Sequence, residues 1–483
     1  MIKNRSHKNF IKQLKKFPFF SKAERVAEEI GVRLFIVGGF VRDLILERER
    51  KEIDFLIVPE ITRESPGGSS GIEFAERYAN MLGVKNVIVY KNFGTAHFRY
   101  EDYDLEFVGA RKESYRENSR NPKVTEGTFD EDISRRDFTI NTLAISLNKE
   151  DYGELIDTFN GLEDIKNQII RTPLDPEVTF NDDPLRIMRA YRFASQLDFD
   201  IDESIDKAAN KMRERLNIVS QERITDEFLK ILESPKPSVG LVLLYYSGVM
   251  EIIFPEIANL AGVEQRKDYH HKDVFFHTCM VVDNIAKVTE NVWLRFAALV
   301  HDIAKPPTKK FVEGIGWTFH GHEEMGARMM KSIFKRMKLP LNKLDYVKKL
   351  VRLHLRPMAL ASEEVTDSAI RRFIVDAGED LEDLITLCRA DITSKDPRKV
   401  SEYLDNYERV MKKVWEVEEK DKLRAFQSPV RGEVIMEICN IEPSRKVGEI
   451  KKAIENAILE GKIGNNYEEA YAYLLKIKDE FLK

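Results

Sequence analysis

The chain has 483 residues, 43% of them hydrophobic and 33% charged, with a formal net charge of −5; at about 100–200 residues per domain it holds three or four units. No run of about 18 apolar residues is present to cross a bilayer, the three cysteines (Cys279, Cys388, Cys439) have no paired spacing, and a chain of this acidity meets nucleic acid through local basic patches rather than its whole surface. These features exclude a membrane-spanning protein and a disulfide scaffold, and point to a cytoplasmic protein with no membrane partner.

Taken in chain order, a helix is predicted before Gly31, then strands at Leu34–Gly38, Ile53–Val58, Val87–Tyr90, His97–Tyr100 and Asp104–Val108. Ser65–Gly71 (SPGGSSG) reads as a loop. Residues 1–160 are therefore a small α/β domain. From Pro184 onward strand signals fade, and amphipathic patterns broken by Pro and Gly predict helices to the C-terminus. Seven of the nine histidines lie between His270 and His354, a window with its own chemistry.

Within the first domain, LFIVGGFVRDLIL sets Gly38 and Gly39 between an apolar strand and a helix bearing Arg42 and Asp43. Backbone amides freed by glycine at a helix start, with an arginine one turn in, suit a triphosphate; a tight turn uses the same glycines. Next, the strand that opens on Glu52-Ile53-Asp54 puts both carboxylates on one face, and YDLEFVG puts Asp104 and Glu106 on one face of its own strand. Carboxylates on neighbouring strands can bind two Mg²⁺ ions, or form the solvated face of an edge strand. In SRRDFTIN, arginines Arg135 and Arg136 suit phosphate oxygens, while Asp137 and Asn141 suit ribose hydroxyls or a helix cap.

Further along, DDPLRIMRAYRF predicts a helix with Pro184 at its first position, carrying Asp183, Arg186, Arg189 and Arg192. In the histidine window stand His277, His301 with Asp302, His320, His322 and His354, followed by Asp391. Imidazoles and carboxylates spread over several helices suit a divalent metal.

GGFVRD, the Glu-x-Asp of residues 52–54, RRDFTIN and DDPLRIMRAYRF together resemble the signature motifs of class II CCA-adding tRNA nucleotidyltransferases and bacterial poly(A) polymerases. The resemblance covers almost the whole chain. It implies an α+β fold, with a polymerase-beta-like nucleotidyltransferase head at residues 1–160 followed by all-α regions: neck and body at 161–265, an HD domain at 266–400 and an RNA-contacting tail at 401–483. The implied reaction is template-independent addition of C, C and A to tRNA from CTP and ATP.

Residue by residue, the resemblance assigns Gly38, Gly39 and Arg42 to phosphate contact, Glu52, Asp54 and Glu106 to catalysis with Mg²⁺ held by Glu52 and Asp54, and Arg136, Asp137 and Asn141 to the nucleotide. Glu52 departs from the family's usual Asp by one methylene. Asp183 and Arg186 fall on the base-selecting motif, with Arg189 and Arg192 following. Cytosine and adenine share an amino donor beside a ring-nitrogen acceptor, which an Asp acceptor next to an Arg donor complements; helix capping by Asp183 is the alternative. The histidine window resembles the HD phosphohydrolase superfamily, with His277, His301, Asp302 and Asp391 as core ligands of a divalent metal and His322 and His354 as the extra ligands of two-metal members. Three rival readings share these motifs: a poly(A) polymerase, an HD phosphohydrolase whose transferase head is degenerate, and an RNA-binding module without catalysis.

Overall fold

Alternation over residues 52–55 and 104–107 decides how the two acidic strands lie. Ile53, Phe55, Leu105 and Phe107 are fully buried, and in a pleated strand their neighbours Glu52, Asp54, Asp104 and Glu106 then face the opposite side. Phe55 and Phe107 stack with ring centroids 4.9 Å apart, and Phe98 stacks on Phe107 at the same spacing. Helices Phe19–Ile30 and Ser70–Leu82 cover this aromatic layer with Phe20, Phe74 and Tyr78. The apolar side of the sheet is thereby fixed, and a one-residue slip would bury four carboxylates.

The computed structural model describes residues 5–59, 70–91, 94–116, 119–263, 273–314, 316–361, 365–394, 396–425, 428–459 and 462–482. Most of the Ser65–Gly71 loop lies outside them, and its last two residues open the helix Ser70–Leu82. The head sheet has eight strands in the order 5–9, 154–156, 144–146, 32–37, 52–59, 103–109, 95–100 and 88–90. Glu52–Pro59 runs antiparallel to Val32–Val37 and parallel to Tyr103–Gly109. Each of the five predicted strands is present within two residues.

Five further strand segments of the head, among the described residues, escaped the sequence pattern. Ala144–Ser146 and Glu154–Ile156 are three residues each, too short for a period of two to register, and Ala144–Ser146 is buried throughout, which erases the alternation. Arg5–Asn9 pairs at the sheet edge, and Arg111–Arg116 with Ser119–Glu126 forms a separate hairpin.

Helices dominate after residue 160, as the amphipathic patterns predict. Among the described residues the strands there are a two-residue pair at Ile169–Ile170 and Asp200–Ile201 and a hairpin at Lys310–Val312 and Gly316–Thr318. The chain divides into two compact units. One is Met1–Leu355 with Glu379–Val400, and the other is Arg356–Gly378 with Ser401–Lys483. Within the second, helices Gly432–Cys439, Arg445–Leu459 and Tyr467–Leu482 close on a core that includes Ile435, Ile450, Ile454 and Leu474.

Candidate functional site

A cleft of about 470 Å³ opens beside the acidic strands. It brings together Asp54, Glu106, Arg136, Asp137, Asp183, Arg186 and Arg189 from segments that lie far apart in sequence. Asp54 pairs directly with Glu106, and Glu52 with Asp104, in the parallel register. Burial raises the Asp54 carboxyl above the ordinary range against the pull of Arg136 and Arg50. Desolvation and the charge of Asp54 raise Glu106 too, although its side chain opens to solvent. Two carboxyls that resist ionising together form a site that a cation would relieve.

Gly38 adopts φ +75°, and a Cβ there would sit 3.1 Å from Arg136 Nη1 and 3.2 Å from Asp54 Oδ2. Only glycine keeps that space and conformation. Arg136 and Arg135 are held at the cleft by the fully buried Asp132, at 3.2 Å and 2.6 Å. The helix that carries Asp132, Phe129–Ser134, starts with a reciprocal cap between Thr128 and Glu131. Glu52 turns its carboxylate to Arg50 at 2.6 Å, and Arg50 also reaches Asp43 at 3.2 Å.

Behind the cleft lies a buried ionic chain. Arg42 donates to both oxygens of Asp43 at 2.8 Å and to Asn141 Oδ1 at 2.9 Å. Asn141 in turn donates to Asp137 Oδ1 at 3.0 Å, and Asp137 Oδ2 accepts two N–H groups of Arg189 at 2.8 Å and 2.5 Å. Burial alone would raise Asp137; Arg189 and Asn141 override it and hold the carboxyl far below its usual range. Glu227, on helix Gln221–Glu233, closes the chain by meeting Arg192 at 3.1 Å. Arg42, Asn141 and Arg192 are thus buried in ion pairs and hydrogen bonds outside the cleft lining.

Helix Leu185–Leu197 follows Pro184. Asp183 Oδ1 accepts the Leu185 N–H at 3.1 Å while Oδ2 meets Arg223 at 2.8 Å. Arg186 donates to the Arg135 carbonyl at 2.5 Å.

The second site gathers all six residues that the HD resemblance implied. His277 Nε2 lies 2.9 Å from Asp391 Oδ1, and His301 Nε2 lies 3.2 Å from Asp302 Oδ2. His322 and His354 Nε2 approach the other oxygen of Asp302 at 3.3 Å and 3.9 Å. Two sets of potential metal donors share Asp302: His277 with His301, and His322 with His354. Backbone carbonyls of Ala298, Phe319 and Val351 each take the Nδ1 side of a ring at 2.7 Å. This turns the buried Nε2 atoms of His301, His322 and His354 inward to the Asp302 carboxylate, where they lie within ion-pair distance and make no well-aligned hydrogen bond. Such orientation by carbonyls is the usual support of metal-binding imidazole. Burial opposes charge on His301, but Asp302 and Asp391 outweigh it and push its pKa up to about 10; the same field favours a divalent cation. His320 is exposed and stands apart from this set.

Asp132, Arg223, Glu227 and Lys305 were not singled out from the sequence. Lys305 Nζ sits 2.5 Å from Asp302 Oδ2. Its spacing of three from Asp302, and the spacings of three and four from Asp132 to Arg135 and Arg136, were the available signals; Arg223 and Glu227 act across elements that only folding brings together.

A carboxylate pair in an arginine-lined cleft, joined to a histidine–aspartate centre, defines a nucleotidyltransferase head with an HD domain. Residues 34–171 match the poly A polymerase head domain, 198–260 a probable RNA and SrmB-binding site of polymerase A, and 274–396 the HD domain. The chain is 42% identical over 213 residues to the A-adding tRNA nucleotidyltransferase of Aquifex aeolicus, covering 42% of this chain and 24% of that one. It is 30% identical over 319 residues to the multifunctional CCA protein of Psychromonas ingrahamii, covering 64% and 71%. With the CC-adding tRNA nucleotidyltransferase of Thermus thermophilus it shares 29% over 471 residues and 95% of both chains. A solved tRNA nucleotidyltransferase with primer tRNA and an incoming ATP analog superposes with a TM-score of 0.56 at 26% identity, over 80% of this chain and 99% of that one.

The chain belongs to the CCA- and A-adding tRNA nucleotidyltransferase family and carries its HD domain. Its fold is α+β, a polymerase-beta-like head followed by a mainly helical region. No helix among the described residues is long and apolar enough to cross a membrane.

Proposed function

We propose that the chain adds C, C and A to the 3′ end of tRNA from CTP and ATP, and that its HD centre hydrolyses phosphate esters. The pairing of Asp54 with Glu106 at the edge of the arginine-lined cleft carries the first part. Glu52 and Asp54 would hold Mg²⁺, with Glu106 as the third carboxylate. The metal supplies activation of the terminal hydroxyl and charge stabilisation on the leaving pyrophosphate. Arg136, fixed by Asp132, orients phosphate oxygens. Asp183 and Arg186 present an acceptor and a donor to the base, matching cytosine and adenine and opposing uracil and guanine. In the HD centre, His277, His301, Asp302 and Asp391, with His322 and His354, would hold divalent metal. Three buried, free cysteines fit a cytoplasmic enzyme.

The deciding experiment supplies purified protein with tRNA lacking CCA, and each labelled nucleotide singly and together. Full CCA in the presence of CTP and ATP is the expected product. Growth by A alone on tRNA ending in CC, or arrest after CC, would reassign the specificity. A long adenylate tail on unselected RNA would make the chain a poly(A) polymerase, and no incorporation at all would leave only the HD reading.

A further inference from the structure

Between the two segments that supply Asp302 and His322, the chain rises into the hairpin Lys310–Val312 and Gly316–Thr318. Its apolar residues do not enter a core. Phe311 is 56% exposed, Trp317 40% and Val312 38%. The Phe311 and Trp317 rings meet edge to face, 5.2 Å apart at 75°, and Lys309 Nζ lies 4.4 Å over the Trp317 ring. Lys310 is exposed alongside, and Glu313 in the turn is the acid of the hairpin.

Both ends of this hairpin are tied to the metal-ligand cluster. On one side Lys305, in ion-pair contact with Asp302, begins the short helix Lys305–Thr308 that leads into Lys310. On the other, Trp317 precedes Phe319 by two residues. The Phe319 carbonyl orients His322, and the Phe319 ring lies 5.8 Å from Lys305 Nζ.

We infer that the Phe311–Trp317 hairpin is a base-stacking platform for the HD centre, so that the centre's substrate is a phosphate ester at the end of a single-stranded nucleic acid rather than a small free phosphate ester. Exposed aromatic rings flanked by lysines bind single strands because every base has a stacking face and every linkage a negative charge. A hydrolytic centre for small phosphate esters has no use for two solvent-facing rings on the hairpin that links its ligand segments, and a core has no use for them either. The substrate class rests on the phosphohydrolase reading of the HD centre; the platform itself does not.

The test uses the full chain. A 3′-phosphorylated single-stranded hexanucleotide is titrated against wild type and Trp317→Phe while tryptophan fluorescence is followed. A saturable quench in wild type that is lost in Trp317→Phe is expected, because stacking reaches the indole directly. Hydrolysis with Mn²⁺ is then compared on the hexanucleotide and on p-nitrophenyl phosphate. Trp317→Ala should raise KM for the hexanucleotide roughly tenfold, the scale of losing one stacked base, with kcat and p-nitrophenyl phosphate turnover unchanged and Trp317→Phe near wild type. Absence of the difference quench, equal loss on both substrates, or a change only in oligomeric state would overturn the platform. If the wild type hydrolyses neither substrate, the phosphohydrolase reading falls, and the fluorescence difference still decides whether the hairpin stacks bases.

Discussion

Asp183 accepts the Leu185 N–H on one carboxylate oxygen at 3.1 Å and the Arg223 guanidinium on the other at 2.8 Å. Helix capping and a cleft-facing charge are therefore compatible in one residue, since each uses a different oxygen. Asp183, Arg186 and Arg223 all line the cleft.

Arg186→Ala is expected to lower discrimination by about 1–3 kcal/mol, the scale of a bidentate base contact. Misincorporation of UTP and GTP relative to CTP is the readout. An unchanged ratio would reduce Arg186 to a brace for the Arg135 carbonyl. Arg223→Ala should weaken selection less, since it frees Asp183 to rotate without removing the base-facing groups.

For Asp54, activity and stability should move in opposite directions. Asp54→Asn keeps the volume and removes the charge that would hold metal, so nucleotide addition should fall by several kcal/mol of transition-state stabilisation in single-turnover assays. Burial raises the native Asp54 carboxyl above its unfolded value of about 3.9. A raised native pKa means that the folded chain binds the proton more tightly, so the ionised group costs stability above that pKa and nothing below the unfolded one. In metal-free protein the variant should melt higher than wild type at pH 7, with the gap narrowing as pH falls through the native pKa and closed below about 4. A lower melting temperature at pH 7 would show that Asp54 stabilises the fold.

Glu52→Asp should add nucleotides at least as well as the native chain. Glu52 leans on Arg50 at the surface, and an exposed pair of this kind contributes about 0–1 kcal/mol. A dead Glu52→Asp would mean that Arg50 and Asp43 have adapted the site to the longer acid.

The carboxylates of the head were legible because a strand has only two faces. The period of two in EIDFLIVP and YDLEFVG places Glu52, Asp54 and Glu106 without reference to anything distant. HD ligands were legible as a set of residue types, while their sharing of Asp302 was not, since it depends on four helix ends meeting. Arg42 and Asn141 stood in the right motifs, yet no local pattern shows that they bind Asp43 and Asp137 in a buried chain. Charge in a sequence carries a sign but no partner, and Glu227 becomes visible only once helices Leu185–Leu197 and Gln221–Glu233 pack.

That chain gives its own expectation. Arg189→Ala would leave Asp137 buried without its cation, while Glu227, 3.7 Å from Arg189, keeps Arg192 at 3.1 Å; the loss is about 3–5 kcal/mol for a broken buried pair, seen by calorimetry as a lower melting transition. Arg189 and Asn141 depress the native Asp137 carboxyl below its unfolded value. Its contribution is therefore present above about pH 4 and lost as pH falls through the native value. The wild type should lose stability in that acid window, and Arg189→Ala should lose less. Equal acid sensitivity in both would assign the effect to other carboxylates.

The two chemistries should separate at Asp302. Asp302 is common to both groups of potential metal donors, whereas His354 belongs to one. Asp302→Ala, alone or with His301→Ala, should therefore abolish metal-dependent hydrolysis and bring the bound divalent metal close to zero. His354→Ala should remove about half of the metal and spare the ion at His277 and His301. None of these residues lines the transferase cleft, so nucleotide addition to tRNA should stay within about twofold in every variant. Elemental analysis of the purified proteins, beside incorporation assays on the same samples, reads both quantities. An unchanged metal complement in the double variant would mean that these residues are not ligands. Equal metal loss in His354→Ala and Asp302→Ala would mean one cooperative centre instead of two sites. Failure of nucleotide addition in a variant that melts like wild type would show that the HD centre positions the tRNA, and the separation of the two sites would be wrong.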